Sequence, residues 1–272
     1  MQSQGSAASI PLLVRACHPE PTAAVTTLTA LLAVAAGLPA GRAGLVTAAV
    51  FTGQLSIGWS NDLIDEPRDR RVRRADKPLA AGDLSARTVR AALAAAVAAC
   101  VVLSLLCGWR SGLTHLVLGV GSGWSYNLGL KRTAVSWLPY AAAFGTLPAV
   151  VQLAGQPGRL PPGWLMAGGA LLGIAAHLVN ALPDLADDAA TGVRGLPHRL
   201  GQRVSQVLAT AVLLAASTVV VLGPGGWPPL WSWAALAVTA VLAGVGLRWS
   251  GEVAFRATVA IAAVDVALLI TR

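Results

Sequence analysis

A chain of 272 residues in which 55% are hydrophobic and only 12% are charged, with a mean hydropathy of +0.65, is too apolar for a water-soluble domain. Its net charge of +8 does not point to nucleic acid, because no stretch sets basic residues among aromatics on a soluble face. Cys17, Cys100 and Cys107 are too few and too scattered for a disulfide framework or a metal site, and the spacing of the last two fits packing on one helix face.

The first twenty residues lack the basic start, short apolar core and small-residue cleavage site of a removable signal peptide. The first span is therefore expected to direct its own insertion. Charge-free stretches run 21–41, 43–61, 91–109, 111–130, 133–158, 160–183 and 204–247, followed by 257–271 with Asp265 alone inside it. A bilayer core needs about 20 apolar residues per helix, so 204–247 is long enough for two spans, and the Pro224–Pro229 run breaks it between them. The pattern predicts an all-α, polytopic membrane protein: one domain over 1–272, with nine transmembrane helices around a central cavity. The cytoplasmic loops would be about 62–90 and 184–203, the first of them able to cap that cavity. Small residues at GxxxG spacing, such as Gly119 and Gly123, are expected to let helices approach closely.

Lys and Arg are held on the cytoplasmic side of a membrane protein. With the N-terminus inside, 16 of the 20 basic residues fall on that side, and only Arg42, Arg110, Arg159 and Arg272 fall on the other. The chain is expected in the cell membrane with its N-terminus and acidic loops cytoplasmic and its C-terminus outside.

Two acidic clusters stand out against this apolar background. Asp62, Asp65 and Asp69 are spaced i, i+3, i+7, so a helix continuing out of the second span carries all three on one face, with Asn61 beside them. Extended backwards, that face reaches Gly58 and Gln54, and Pro67 need only loosen the last turn. By itself this cluster is equally well read as a solvated helix end pairing with nearby arginines. The second cluster, Asp184, Asp187 and Asp188, ends the sixth span, and stepping back at helical spacing adds Asn180 and His177. Ionised groups near hydrocarbon are costly, so two such faces at one membrane depth point to a polar cavity with a metal or substrate. Hard oxygen donors suit Mg²⁺, which also bridges phosphate oxygens. Arg74, Lys77, Lys131, Arg132 and Arg194 lie near the clusters and would complement a diphosphate, although each also obeys the positive-inside rule.

The string NDLIDEPRDRRVRRADKPLAAG from Asn61 resembles the first motif and following loop of the UbiA superfamily of intramembrane prenyltransferases. NALPDLADDAATGVRGLPHRLG from Asn180 is similar to its second motif, through Asp184 and Asp188, and YNLGLKRT from Tyr126 resembles a third family segment. The resemblance implies a pair of Mg²⁺ ions, one held by Asn61, Asp62, Asp65 and Asp69 and the other by Asp184 and Asp188. It implies an isoprenyl diphosphate in contact with Arg74, Lys77, Tyr126, Lys131 and Arg132, with Arg194 nearby and His177 and Asn180 on the cavity wall. Asp62, Asp65, Asp184, Asp188 and Lys131 would then carry the chemistry, and Asp187 falls outside the pattern. The prenyl acceptor would be of aromatic or quinone-precursor type; no nucleic acid and no obligate protein partner are expected. A membrane terpene cyclase would use the same ionisation, whereas a transporter would place its charges nearer the bilayer midplane.

Overall fold

The computed structural model describes residues 4–183, 185, 192–249 and 251–271. Asp184, Asp187 and Asp188 lie outside the described residues. Every regular element among those described is helical. An N-terminal helix, α1 (Gln4–Ala16), turns at His18, whose backbone is left-handed (φ 56°), into α2 (Pro19–Ala35), with Pro19 at the position where a helix tolerates it best. Gly37 (φ 68°) and Pro39 then separate α2 from α3 (Ala40–Arg71), so the helix of the first charge-free stretch ends six residues before that stretch does at 41. Helix α3 runs straight through Pro67 and carries the first acidic cluster, and Arg68, Arg70 and Arg71 complement the negative end of its dipole.

A short α4 (Pro78–Ala81) is closed by left-handed Gly82, and α5 (Ala86–Leu106) is capped by Ser85, whose hydroxyl accepts from the Thr88 amide. The next span is made of three pieces: α6 (Trp109–Thr114), a π-helical turn over His115–Val120, and α7 (Gly121–Leu128). A 3₁₀ turn, Leu130–Arg132, leads to α8 (Leu138–Gly155) and α9 (Gly163–Asn180). The chain ends in α10 (Leu196–Leu200), α11 (Gln202–Leu222), α12 (Leu230–Arg248) and α13 (Gly251–Thr271).

Among the described residues six helices, α5, α8, α9, α11, α12 and α13, are long and apolar enough to cross a membrane. The other three expected spans also fall on helices, but α2 has 17 residues, α3 carries a polar stripe, and the third is interrupted by the π turn. Helix α2 packs on α3, α3 on α5, α5 on α6, α6 on α8, α8 on α9, α9 on α11, α11 on α13, and α13 back on α2, closing a ring with α12 outside it. The ring's main apolar core includes Val46, Val50, Val151, Leu213, Val220 and Ile261. Gly123 is the close-approach position expected of it, since a Cβ there would sit 2.5 Å from the Ile57 side chain of α3. Asp265 is buried in the bundle and takes a hydrogen bond from Ser217.

Loops alternate between two ends. At one, Arg42 bonds the Leu106 carbonyl (3.2 Å) and Arg110 the Pro157 carbonyl (3.1 Å); both cations belong to the sparsely basic side. At the other end the expected loop 62–90 is shorter, since α3 runs on to Arg71 and α5 begins at Ala86, and the connection 72–85 packs against α1 and α3. There Ala16, Leu79, Leu84 and Val89 form a second small core, with Leu12, Leu13, Trp59 and Leu63 against it. The turn between α1 and α2 is clamped to α3: Trp59 Nε1 donates to the Leu13 carbonyl (3.0 Å) and Thr22 Oγ1 to the Cys17 carbonyl (3.0 Å). Gly58 makes this contact feasible, because a Cβ on it would lie 2.2 Å from the Cys17 carbonyl oxygen. Gly58→Ala is expected to cost about 1–3 kcal/mol or more, as overpacking against backbone does. A lowered Tm together with reduced activity would register the displaced turn.

Candidate active site

The helical spacing of Asp62, Asp65 and Asp69 does what it predicts. All three lie on one face of α3 and are buried, with 2–3% of their surface exposed. Buried carboxylates need partners, and each has a cation of its own. Lys131 Nζ sits 2.6 Å from both oxygens of Asp65. Arg68 Nη2 reaches Asp69 Oδ1 at 3.0 Å and Asp65 Oδ2 at 3.4 Å. Lys77 Nζ lies 2.6 Å from Asp62 Oδ1, and His18 Nε2 lies 3.0 Å from the same oxygen. Asp62 Oδ2, in contrast, is buried with no hydrogen-bond partner.

These contacts set the electrostatics. Burial pushes the Asp62 carboxyl up, but the His18 contact and the Lys77 charge outweigh it and hold the group below the usual carboxylate range. Burial lowers the Lys131 ammonium, and the neighbouring Asp65 opposes that without cancelling it. Arg74 is turned toward the α3–α4 connection, where its guanidinium donates two 2.8 Å hydrogen bonds to Asp76 and holds that carboxyl at about 2.

Asn61 bonds the buried Asn127 (3.1 Å), which in turn donates to the Ile57 carbonyl and the Ser60 hydroxyl, both at 2.9 Å. Asn127 thus ties α7 to α3 directly before the 3₁₀ turn that delivers Lys131. Tyr126 packs edge-on against Tyr140 (5.3 Å) and His177 (5.8 Å), and Tyr140 hydrogen-bonds Asn180. His177 is buried; Ser136 accepts from the Leu196 amide at 2.9 Å, which leaves its own proton for His177 Nε2, also at 2.9 Å. Gly195 passes so near Lys131 that a Cβ would stand 2.6 Å from its carbonyl oxygen. The chain on either side of the second cluster thus meets the 131–136 segment, through His177 before it and through Gly195 and Leu196 after it. Arg132 and Arg194 are exposed.

The expected residues thus fall into two groups: a charged one of Asn61, Asp62, Asp65, Asp69, Lys77 and Lys131, and an aromatic-polar one of Tyr126, His177 and Asn180. Sequence reading passed over His18, Asn127, Ser136 and Tyr140. Of these only Asn127 stood inside a quoted motif. Among the described residues no three His, Cys, Asp or Glu side chains converge as a complete metal cage. The donor chemistry nevertheless fits Mg²⁺: the face offers hard carboxylate oxygens, one of them buried without a partner, and its second half would come from Asp184 and Asp188.

Comparison with known proteins bears on both fold and site. The UbiA prenyltransferase family matches residues 23–259. Digeranylgeranylglyceryl phosphate synthase of Methanopyrus kandleri is 28% identical over 207 residues, 69% of each chain. The synthase of that name from Methanoculleus marisnigri is 29% identical over 247 residues, 85% of this chain and 83% of its own. A UbiA homolog from Aeropyrum pernix K1, solved in its apo state, superposes with a TM-score of 0.71 at 19% identity, covering 92% of this chain and 97% of that one. A UbiA homolog from Archaeoglobus fulgidus bound to GPP and Mg²⁺ gives 0.71 at 17% identity, covering 95% and 98%. These two share the helical fold. A match over most of its length places this chain in the UbiA prenyltransferase family, enzymes that transfer prenyl groups and so belong with the transferases of alkyl groups other than methyl.

Proposed function

We propose that this chain moves an isoprenyl group from an isoprenyl diphosphate to an acceptor, with Mg²⁺, at the cytoplasmic face of a cell membrane that it crosses nine times. The observation that carries the reading is the buried face of α3, where three aspartates are each matched to a cation while Asp62 keeps one oxygen without a partner. A face built only as a solvated helix end would be exposed. Mg²⁺, when bound, neutralises charge on the diphosphate as it leaves. Asp62, Asp65 and Asp69, with Asn61, would hold one ion, and Asp184 and Asp188 would hold the second.

The chain's own residues do the rest. Lys131, released from Asp65, and Lys77, which keeps its contacts with Asp62 and His18 and has a third ammonium proton to give, donate hydrogen bonds to diphosphate oxygens and take up the charge of the leaving group. The bond between the allylic carbon and the diphosphate oxygen breaks with its electrons passing to the diphosphate. The acceptor's nucleophile then bonds to that carbon and gives up a proton. Tyr126, Tyr140 and His177, which pack on one another, would offer ring faces to the allylic cation, and the apolar bundle keeps out water that would otherwise capture it. Basic residues gathered at the same end as this site support its cytoplasmic placement.

Two acceptor classes deserve assay. An aromatic or quinone-precursor acceptor is what the motifs lead one to expect, and a prenylated glyceryl phosphate is the type suggested by the names of the curated relatives. The test uses the purified full chain in lipid nanodiscs with GPP and longer diphosphates. Diphosphate release coupled to prenylation of one acceptor, abolished by EDTA and restored by Mg²⁺, is expected. Terpene hydrocarbon formed from the diphosphate alone would instead establish a cyclase, and turnover indifferent to EDTA would refute the metal assignment.

A further inference from the structure

Both motif regions are read above as metal-binding, yet the residue that orients Asp62 lies in neither. His18 Nε2 stands 3.0 Å from Asp62 Oδ1 and 2.9 Å from Lys77 Nζ, and Lys77 Nζ stands 2.6 Å from that same Oδ1. The three atoms form a triangle. Lys77 donates to Oδ1, and His18 Nε2 has two alternatives: carrying a proton it donates to the same Oδ1, and without one it accepts a second Lys77 proton and holds the ammonium on that oxygen. Among the described residues the polar contacts of the Asp62 carboxylate therefore fall on one oxygen, and the other, Oδ2, is buried without a partner.

His18 is held there by packing. Its left-handed backbone, φ 56° and ψ 71°, is uncommon for a side chain other than glycine and persists only where the surroundings fix it. They do so from three sides: the Cys17 carbonyl takes the Thr22 hydroxyl, the same carbonyl is pressed onto Gly58, and Trp59 anchors Leu13. Gly58 lies one helical turn before Asp62, so the clamp fixes the height of His18 on α3 against the carboxylate it meets.

We propose that His18 is a positioning residue for the divalent metal: with Lys77 it saturates Oδ1 of Asp62 and so fixes Oδ2 as the oxygen presented to the ion. This rests on the reading of Asp62 as a Mg²⁺ ligand. Partners that orient metal-ligating groups commonly change metal affinity by about 10- to 100-fold when removed.

Full-length protein in nanodiscs, titrated with Mn²⁺ and followed by electron paramagnetic resonance, gives affinity independently of turnover; the Mg²⁺ dependence of transfer is measured beside it. His18→Ala should weaken Mn²⁺ binding about tenfold and raise the Mg²⁺ concentration for half-maximal transfer by a similar factor, with kcat at saturating Mg²⁺ changed about threefold at most. His18→Gln, whose amide reaches as far as Nε2, should recover most of both. Unchanged Mn²⁺ affinity in His18→Ala, or a His18→Gln protein as impaired as His18→Ala, would overturn the proposal. Should His18→Ala not fold, His18→Gln decides alone: Mn²⁺ affinity near native supports the role, and a loss as deep as that of Asp62→Ala rejects it. Asp62→Ala run in parallel separates the two claims, because native Mn²⁺ binding there would sink the ligand assignment itself, whereas its loss alongside an unaffected His18→Ala would sink only the role of His18.

Discussion

Asp62→Ala is expected to abolish Mg²⁺-dependent prenyl transfer while leaving the protein folded. A metal on the leaving group contributes several kcal/mol to the transition state, and each ~1.4 kcal/mol is a factor of ten, so turnover should fall by about 1,000-fold or more. Folding survives because Lys77, which loses its carboxylate, keeps the His18 contact and has 17% of its side chain exposed to water. Asp62→Asn preserves shape and removes charge, and should be equally inactive. Asp184→Ala, in the second motif, should match it. Product formation by either alanine variant at more than a few per cent of native, measured by chromatography of lipid extracts, would end the assignment.

Lys131→Ala should behave differently, because its pair with Asp65 is the most enclosed in the site: the side chains are 5% and 4% exposed. Removing one partner of a buried ion pair typically costs about 3–5 kcal/mol, since the other charge stays behind without compensation. Arg68, 3.4 Å from Asp65, offsets part of this. The variant should thus melt well below native, and Mg²⁺ added without substrate should raise its Tm more than it raises that of the native protein, as the ion takes the place of the ammonium. Transfer should remain low at saturating Mg²⁺, because Lys131 is also a donor to the diphosphate. Equal Mg²⁺ stabilisation of both proteins would show that Lys131 does not occupy the metal's carboxylate.

Much of this was legible in the residues themselves. Asp62, Asp65 and Asp69 share a face because i, i+3, i+7 spacing leaves a helix little choice, and α3 continues through Pro67 because the turn beyond it still buries Asp69. Charge-free stretches located the helices well but not their ends. The first of them stops at Ala35, where Gly37 and Pro39 break it, since backbone geometry and not charge terminates a helix. Arg132 and Arg194 were grouped with the site by proximity in sequence, and both are exposed, as topology alone would place them. His18 could not have been found: it is 44 residues from Asp62, and no local pattern marks an imidazole that a turn will bring there. Asn127 and Ser136 escaped for the same reason, being struts whose partners lie 41 to 70 residues away. The π turn at His115–Val120 contains no proline, and its Gly119 does not set it apart from the other glycine-bearing helices of the chain.

That π turn limits how the span can vary. A wide turn takes in one residue more than an α turn would, and one residue corresponds to roughly 100° of azimuth around the axis. Whatever follows it, Tyr126, Asn127 and then Lys131, is aimed by that surplus. His115 itself is buried and bonded to Ser104 (2.8 Å), and losing one residue from the count would swing the whole downstream rim away from Asn61 and Asp65. The register of the chemistry is thus stored as a length, twenty ångströms or so before the atoms that need it, at about 1.5 Å of rise per residue.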